Sequence, residues 1–156
     1  MILWRVATQT RARDAHDLSG SGAALYPGRW NTPEIPVVYC ALAPGMAVLE
    51  TAAHVKDGGL PLARFIVEIH VPPAVWARRQ AIDAASLPGG WDAIPSGQAS
   101  ALFGARWLQE GRAPILLLPS VIVPREQVAL INPAHKLSSR ITATARERVE
   151  FSRLFR

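Results

Sequence analysis

The stretch YPGRWNTPEIPVVYCALAPGMAVLE, residues 26–50, predicts a strand, a helix and a turn that carries unusual residues. The β-branched and aromatic run at 35–41 lies among prolines and predicts a buried strand. The alanine-, leucine- and methionine-rich run at 45–55 predicts a helix directly after it. Gly-Arg-Trp-Asn stands ahead of both, and the helix carries Glu50 among small apolar residues. Core packing alone does not require an arginine and a glutamate at these places.

The remaining elements mix strands and helices. Alternating apolar residues at 62–71 predict a strand that stops at Pro72, and residues 97–110 predict a helix with Leu102 and Trp107 on its apolar side. Other predicted elements are strands at 2–7 and 127–132, two strand pieces within 114–124 around Pro119-Ser120, helical turns near 12–18 and after Pro73, and a last strand or helix within 140–155. This order predicts a single compact domain over residues 1–156 of the α/β or α+β class; of the two we expect α+β, with mixed β-sheets flanked by helices.

Composition narrows the class of protein. The chain has 156 residues, of which 49% are apolar and 19% charged, as expected for one globular domain. No apolar run is long enough to span a membrane, and the N-terminus lacks the pattern of a signal peptide. A single cysteine excludes an internal disulfide, so we expect a cytoplasmic protein. The net charge of +5 favours an anionic partner, but the arginines are scattered, which is typical of a solvated surface.

Arg29 is the first candidate for binding chemistry. Its guanidinium is a fixed fork of donors that matches a phosphate or a carboxylate, and the preceding glycine lets a ligand approach closely. Trp30 can form the wall of a pocket for a planar ring. The alternative is an arginine in a surface turn with the tryptophan in the core, and the short motif leaves both open.

Glu50, Arg5 and Ser120 are polar residues in apolar surroundings. A carboxylate at Glu50 can stabilise a developing positive charge, or it can be an exposed helical residue paired with His54. Arg5 lies inside an apolar strand, so its charge must be paired or must face a cavity. Ser120 stands where a strand is kinked, and its hydroxyl can donate to a ligand or cap the kink.

The sequence does not indicate a cysteine nucleophile, a metal site or a glycine-rich nucleotide-binding loop. Cys40 lies inside an apolar strand, where a cysteine is usually inert. The four histidines have no metal-ligand spacing and no cysteine partners, so we expect no metal site. The chain has neither a phosphate-binding P-loop nor a Rossmann glycine pattern. Glu50 and Glu68 could form a glycosidase pair, but the sequence does not set their separation in space.

Taken together and in order, these motifs resemble the RES-domain toxins of bacterial toxin–antitoxin pairs. The resemblance rests on LWRVA, on DLSGSGAALYPGRWNTPEIPVVYCALAPGMAVLE, and on LPGGW, GARWLQEG, LLLPSVIVP and LINPAH, from about residue 3 to residue 136. It implies a fold similar to the catalytic core of ADP-ribosyltransferase toxins. It also implies NAD as a substrate, with no cofactor, and an Xre-like helix-turn-helix antitoxin as the partner that covers the active site.

The resemblance further implies roles for individual residues. Arg5 and Arg29 match two family arginines that would hold the NAD diphosphate or orient the nicotinamide ribose. Glu50 matches the family glutamate, which would stabilise the oxocarbenium-like ribose as nicotinamide leaves. Ser120 matches the serine of a Pro-Ser motif, and Tyr39 an aromatic residue that would stack on the nicotinamide side or hydrogen-bond to it. The other predicted binding residues are Trp30, Asn31, His54, Ser100 and Asn132, and which of the two serines contacts NAD stays open.

The implied activity is cleavage of NAD at the nicotinamide–ribose bond by water or phosphate, which would deplete cellular NAD and arrest growth. The alternative is mono-ADP-ribosyl transfer to a host protein. Val6 departs from the pattern, because some relatives carry a tyrosine there, and this departure bears on the acceptor. A basic nucleic-acid-binding module is a third hypothesis, but no recognition helix with clustered basic residues is present, so we expect no direct nucleic-acid binding.

Overall fold

One seven-stranded sheet organises the chain, which a computed structural model describes over residues 1–54 and 63–153. Its strands are β1 (Ile2–Thr8), β2 (Val38–Ala41), β3 (Arg64–His70), β4 (Gln80–Ala81), β5 (Ile115–Pro119), β6 (Gln127–Ile131) and β7 (Thr142–Arg148). They lie in the order β4-β5-β6-β2-β1-β3-β7. All neighbouring pairs are antiparallel except β4–β5, which is parallel, so the sheet is mixed.

Helices lie against both faces of this sheet. They are α1 (Ser21–Leu25), α2 (Pro44–Ala52), α3 (Pro73–Trp76) and α4 (Gln98–Glu110), with short 3-10 helices at Ala84–Ser86, Lys136–Arg140 and Phe151–Arg153. The predicted α+β class is confirmed, and the helical turn expected after Pro73 is α3. Within the described ranges, no helix has the length and apolar character that a membrane crossing requires.

Alternation along the strands assigns side chains to two faces. On one, which we call the α3 face, Leu3 and Ala7 of β1 pack with Val67 and Ile69 of β3 and with Val75 of α3. On the other, the α2 face, Trp4 and Val6 pack against Met46 and Ala47 of α2. Farther along the α2 face, Leu116 and Leu130 pack against Trp107 and Leu108 of α4. Both faces are buried, which explains why the central strands consist of nearly continuous apolar residues.

The two longer helices follow from local sequence. Pro44 occupies the first turn of α2, where its fixed φ favours a helix and its missing N–H costs nothing. Only two residues separate β2 from α2, so the helix packs back on its own strand. In α4 the buried positions include Gly104, Trp107 and Leu108. The expectation that Leu102 faces the core is wrong: its side chain is 57% exposed.

Several predicted boundaries are corrected. The strand expected at 35–41 begins only at Val38, since Pro36 has no N–H to donate to a neighbouring strand and Glu34, ahead of it, has a positive φ of 71°. The helical turn expected near 12–18 is a single hydrogen-bonded turn, in which the Asp17 N–H donates to the Asp14 carbonyl at 3.1 Å, and the first helix is α1. The strand piece expected at 121–123 is wrong, because the chain turns after Ser120. Residue 55 of the predicted helix, residue 62 of the predicted strand and residues 154–155 lie outside the described residues.

Candidate active site

Ser120 and Glu50 form the centre of the candidate site. The Ser120 hydroxyl donates to Oε1 of Glu50 at 2.6 Å, and it accepts from the backbone N–H groups of Ile122 and Val123, each at 3.1 Å. A hydroxyl has one proton and two lone pairs, so all its hydrogen-bonding capacity is used. Ser120 is buried. It therefore caps the turn after β5 and fixes one oxygen of the carboxylate.

The packing of α2 brings Glu50 to this turn. Met46 and Ala47 are buried against Trp4, and Val123 packs on the same cluster, so the 121–123 turn lies beside the helix. Ser120 has the same strand parity as Leu116 and Leu118, which places its hydroxyl on the α2 face. The helix and the strand end thus meet on one side of the sheet.

Arg29 lies near this pair, in the turn between α1 and β2. Its Nη1 donates to the carbonyl oxygens of Trp91 at 2.8 Å and Ala93 at 2.9 Å. Burial lowers the pKa of the Arg29 guanidinium, and the negative charges of Glu50 and Asp92 oppose that shift. The guanidinium stays cationic, because its ordinary pKa is above about 12. The Arg29 cation and the Glu50 carboxylate are therefore close enough for their charges to interact.

Asn31 and Tyr39 hold the turn that contains Arg29. Oδ1 of Asn31 accepts from the Gly28 N–H at 2.9 Å and from the Tyr39 hydroxyl at 2.7 Å. The same hydroxyl accepts from the Trp30 N–H at 2.9 Å. Burial raises the pKa of Tyr39, so the phenol is neutral. Oδ1 of Asn31 and the Tyr39 hydroxyl thus accept from the backbone N–H groups on either side of Arg29.

Trp30 is a core residue with two aromatic neighbours. Its ring stacks on Trp91, with centroids 6.0 Å apart and planes at 20°, and meets Phe103 edge-on at 6.1 Å. Only 3% of Trp30 is exposed. The stack joins the Gly-Arg-Trp-Asn turn to the loop that receives the Arg29 hydrogen bonds. Trp30 therefore stabilises the turn, and its ring is covered by protein.

The described residues contain no group of three or more His, Cys, Asp or Glu side chains that could hold a metal ion. Burial raises the pKa of the Cys40 thiol to about 12, opposed by the nearby positive charge of Arg5. The thiol is therefore protonated at neutral pH and is not poised as a nucleophile. The chemistry offered by this site is that of a carboxylate, a hydroxyl and a guanidinium.

The sequence matches the profile of the RES domain family over residues 2–152. The chain belongs to the RES domain family. It is 50% identical over 132 residues to the Prs ADP-ribosylating toxin of Sphingobium sp. (strain YBL2), covering 85% of this chain and 82% of that protein. It is 32% identical over 160 residues to the Toxin Res of Pseudomonas putida (strain KT2440), covering 99% and 100%.

A solved structure shares the fold of this RES domain. The crystal structure of the MbcT–MbcA toxin–antitoxin complex of M. tuberculosis superposes with a TM-score of 0.61 over 95% of this chain and 82% of the matched chain. The two sequences are 19% identical in that superposition, so the likeness concerns the fold. It agrees with the α+β architecture described above.

Arg5 is not brought to the Glu50–Ser120 pair in this RES domain. It pairs with Val67 in the register of β1 and β3 and shares strand parity with Leu3, so its side chain leaves the sheet on the α3 face. There Nη1 donates to the carbonyl of Asp17 at 3.1 Å. Burial lowers the pKa of Arg5, and the neighbouring Cys40 and Asp17 oppose that shift. The guanidinium thus binds a backbone carbonyl, and this bond anchors the loop before α1.

Asn132 lies at the far end of the β5–β6 pair. Because Ile115 pairs with Ile131 and Pro119 with Gln127, the residues that follow β5 and β6 lie at opposite ends. Nδ2 of Asn132 donates to the Leu108 carbonyl at 2.8 Å. Asn132 lies opposite Pro114, six residues before Ser120, so the two are about 20 Å apart at roughly 3.4 Å per residue of strand. Asn132 connects the end of α4 to the sheet and does not join the cluster.

His54 and Ser100 make bonds within their own helical segments. Nδ1 of His54 lies 2.7 Å from the backbone carbonyl of Glu50, so the histidine contacts the glutamate's main chain and not its carboxylate. The Ser100 hydroxyl donates to the Gly97 carbonyl at 3.3 Å, in the first turn of α4. Of the two candidate serines, Ser120 is the one bonded to Glu50.

The loop at 91–93 is the part of the site that sequence reasoning did not identify. Its two carbonyls orient the Arg29 guanidinium, and Asp92 adds a negative charge nearby. Backbone carbonyls have no sequence signature. The one sequence signal was Trp91, the aromatic residue after the Gly-Gly pair of LPGGW, which matches the family motif but had no role assigned to it.

Val6, the departure from the family pattern, packs beneath α2 on the same face as Glu50.

Proposed function

We propose that this chain is the toxin of a toxin–antitoxin pair and that it cleaves NAD at the nicotinamide–ribose bond. The single observation that carries the proposal is the hydrogen bond from Ser120 to Glu50, with Arg29 close enough for its charge to act on the same carboxylate. The Sphingobium relative, named an ADP-ribosylating toxin, and the Pseudomonas relative, named Toxin Res, support it.

The proposed reaction matches the charges at the site. As the C1–N bond of the nicotinamide ribose breaks, its electron pair leaves with nicotinamide and positive charge develops on the ribose. A carboxylate held beside that carbon stabilises the charge most at the transition state. Ser120 fixes Oε1 of Glu50, which leaves Oε2 for the ribose. Arg29 supplies a cation for the diphosphate, with which a guanidinium forms charge-assisted hydrogen bonds.

The acceptor of the ADP-ribosyl group defines two candidate functions. With water as acceptor the products are ADP-ribose, nicotinamide and a proton; with inorganic phosphate the products are ADP-ribose 1''-phosphate and nicotinamide. Either reaction would deplete NAD. The alternative is mono-ADP-ribosyl transfer to a host protein, and the name of the relative that is 50% identical favours it. Bond cleavage is common to all three, so Glu50 and Arg29 have the same roles in each.

The proposed partner is an antitoxin that covers the site, an Xre-like helix-turn-helix protein. Large apolar side chains are exposed next to each site residue: Tyr26 is 83% exposed ahead of Arg29, and Ile94 is 84% exposed beside the carbonyl of Ala93. Leu49 and Ile122, next to Glu50 and Ser120, are partly exposed. An antitoxin bound over these residues would bury their apolar surface, which favours association. The matched structure is itself a toxin–antitoxin complex.

The decisive experiment follows nicotinamide release from NAD by the purified protein, with and without inorganic phosphate. We expect release by the wild type and loss by at least about 100-fold in Glu50→Gln, because the amide keeps an acceptor for Ser120 but has no charge. Glu110→Gln on the exposed side of α4 is the matched control and should release nicotinamide at the wild-type rate.

A parallel reaction with labelled NAD and a cell lysate identifies the acceptor. Label in free ADP-ribose or its phosphate would indicate degradation, and label in a protein band would indicate transfer. Release of nicotinamide at full rate by Glu50→Gln would exclude the proposed role of the carboxylate. No release and no protein labelling by the wild type would exclude the proposed function altogether.

A further inference from the structure

The turn at 28–31 is held by one continuous hydrogen-bond circuit. Asn31 Oδ1 receives the N–H of Gly28 and the hydroxyl of Tyr39, and that hydroxyl receives the N–H of Trp30. The two peptide N–H groups in this circuit flank Arg29 in the chain. The backbone of Arg29 is thus fixed from both sides by two side chains that do not contact its guanidinium.

The circuit is anchored in the protein interior. Asn31 is 1% exposed, and its Nδ2 donates to the carbonyls of Ala23 at 2.8 Å and Ile35 at 3.0 Å. Every donor and acceptor of its amide is therefore satisfied by the segments before and after the turn. A buried amide with all its bonds made has one orientation, since any rotation would leave polar groups unpaired.

Two glycines let this arrangement form. A Cβ on Gly28 would lie 2.8 Å from both Cζ and the hydroxyl oxygen of Tyr39, so only glycine lets the tyrosine reach the turn. A Cβ on Gly104 of α4 would overlap the carbonyl of Trp30. The turn is therefore confined between the Tyr39 ring and α4, which limits its freedom to move.

The far end of Arg29 is also held. Nη1 is used by the carbonyls of Trp91 and Ala93, while Nη2 and Nε form no hydrogen bond with any residue that the structure describes. One edge of the guanidinium thus serves to orient it, and the other edge remains for an anion. The second edge meets an anion in a defined direction only when the Arg29 backbone is also fixed.

We propose that Tyr39 and Asn31 are positioning residues that set the aim of Arg29 toward the diphosphate of NAD, and that Tyr39 does not bind the nicotinamide side. The inference rests on the proposed function of Arg29. The only proton of the Tyr39 hydroxyl is already donated to Asn31, so donation to a ligand would break the circuit. Tyr39 therefore acts on NAD through Arg29.

The test compares Tyr39→Phe with Tyr26→Phe, which alters the other tyrosine of the chain at an exposed position. Two probes are titrated by calorimetry: ADP-ribose, which carries the diphosphate, and nicotinamide riboside, which has the ring and ribose without phosphate. We expect Tyr39→Phe to weaken ADP-ribose binding on the order of 10- to 100-fold, the effect of a small misplacement of a binding group. Nicotinamide riboside should bind both variants, Tyr39→Phe and Tyr26→Phe, with the same affinity as it binds the wild type.

A double-mutant cycle with Arg29→Ala separates positioning from direct contact. If Tyr39 acts through Arg29, then Tyr39→Phe has no further effect on ADP-ribose binding once Arg29 is removed. Weaker binding of nicotinamide riboside, an additive effect in the Arg29→Ala background, or wild-type affinity for ADP-ribose in Tyr39→Phe would each overturn the inference. If Tyr39→Phe does not fold, Gly28→Ala displaces the hydroxyl without removing it and must give the same selective loss.

The outcomes distinguish this inference from the proposed function. ADP-ribose binding that depends on Arg29 but not on Tyr39 would remove the positioning role and leave the proposed function standing. Absence of nicotinamide release by the wild type, with wild-type ADP-ribose affinity in Arg29→Ala, would remove the proposed function itself.

Discussion

The Ser120 hydroxyl and the Glu50 carboxylate, 70 positions apart in the chain, are joined by a 2.6 Å hydrogen bond between β5 and α2. The bond exists because the turn after Ser120 supplies two N–H donors that fill the lone pairs of the hydroxyl. Its proton is then directed to the helix. A serine that caps a turn thereby also fixes the orientation of a carboxylate.

We expect Ser120→Ala to damage both activity and stability. Without the hydroxyl, Glu50 loses its fixed orientation, and NAD cleavage should fall on the order of 100-fold. The N–H groups of Ile122 and Val123 lose their acceptor, which should cost about 1–3 kcal/mol of unfolding free energy. Nicotinamide release and urea denaturation measure the two effects.

Ser100→Ala is the matched control for that change. Ser100 is also buried, but its hydroxyl makes one long bond within α4, so we expect activity near the wild-type level and a loss of no more than about 1 kcal/mol. This pair of variants decides which serine acts in the site. Greater loss of activity in Ser100→Ala than in Ser120→Ala would contradict the assignment made from the hydrogen bonds.

Arg5→Gln should reduce stability and leave NAD kinetics unchanged. Arg5 leaves the sheet on the α3 face, where it binds the Asp17 carbonyl, while Glu50 and Ser120 lie on the α2 face. Loss of this bond should lower the free energy of unfolding by about 1–3 kcal/mol. The measurements are chemical denaturation and the KM for NAD. A raised KM with unchanged stability would instead support the diphosphate role implied by the family resemblance.

Much of the fold could be predicted from local patterns. Alternation identified β3 with Val67 and Ile69 buried, and composition identified α2 and α4. The face on which Arg5 lies could not be predicted, because both faces of the sheet are covered by protein and the odd and even positions of the strand are both apolar. The bond between Ser120 and Glu50 could not be predicted either, since it depends on how α2 packs beside a turn that is distant in sequence. The sequence left Ser120 as a ligand donor or a cap, and the hydroxyl caps the turn and donates to Glu50.

Gly104→Ala should destabilise the protein and weaken NAD binding together. The added methyl group would overlap the Trp30 carbonyl, and the neighbouring turn would have to move. Overpacking of this kind costs about 1–3 kcal/mol or more. Gly45→Ala in α2 is the control, because its methyl group would meet nothing within 4 Å and alanine favours helix by up to about 1 kcal/mol. Thermal unfolding and ADP-ribose titration test both; equal stabilities would show that the contact with α4 is dispensable.

His135 should make the stability of the fold sensitive to acid. Its Nδ1 accepts the N–H of Leu137 at 3.1 Å at the start of the Lys136–Arg140 helix, which requires the neutral ring. Burial lowers the pKa of His135, and the positive charges of Lys136 and Arg78 lower it further. The unfolded chain therefore binds the proton more readily than the folded chain. The contribution is fully present above the ordinary pKa of about 6.5 and is lost as pH falls through the folded value.

Replacement of the His135 ring tests whether its contribution to stability is lost as pH falls. His135→Asn keeps a side-chain acceptor at the helix start and cannot be protonated, so its melting temperature should fall less than that of the wild type between about pH 7.5 and pH 5. The difference should be small, because the ring is partly exposed and solvent screens the neighbouring charges. His16→Asn, at a ring that is 56% exposed, should retain the wild-type dependence. An identical acid-induced decrease in His135→Asn and the wild type would mean that carboxylates alone account for the acid sensitivity.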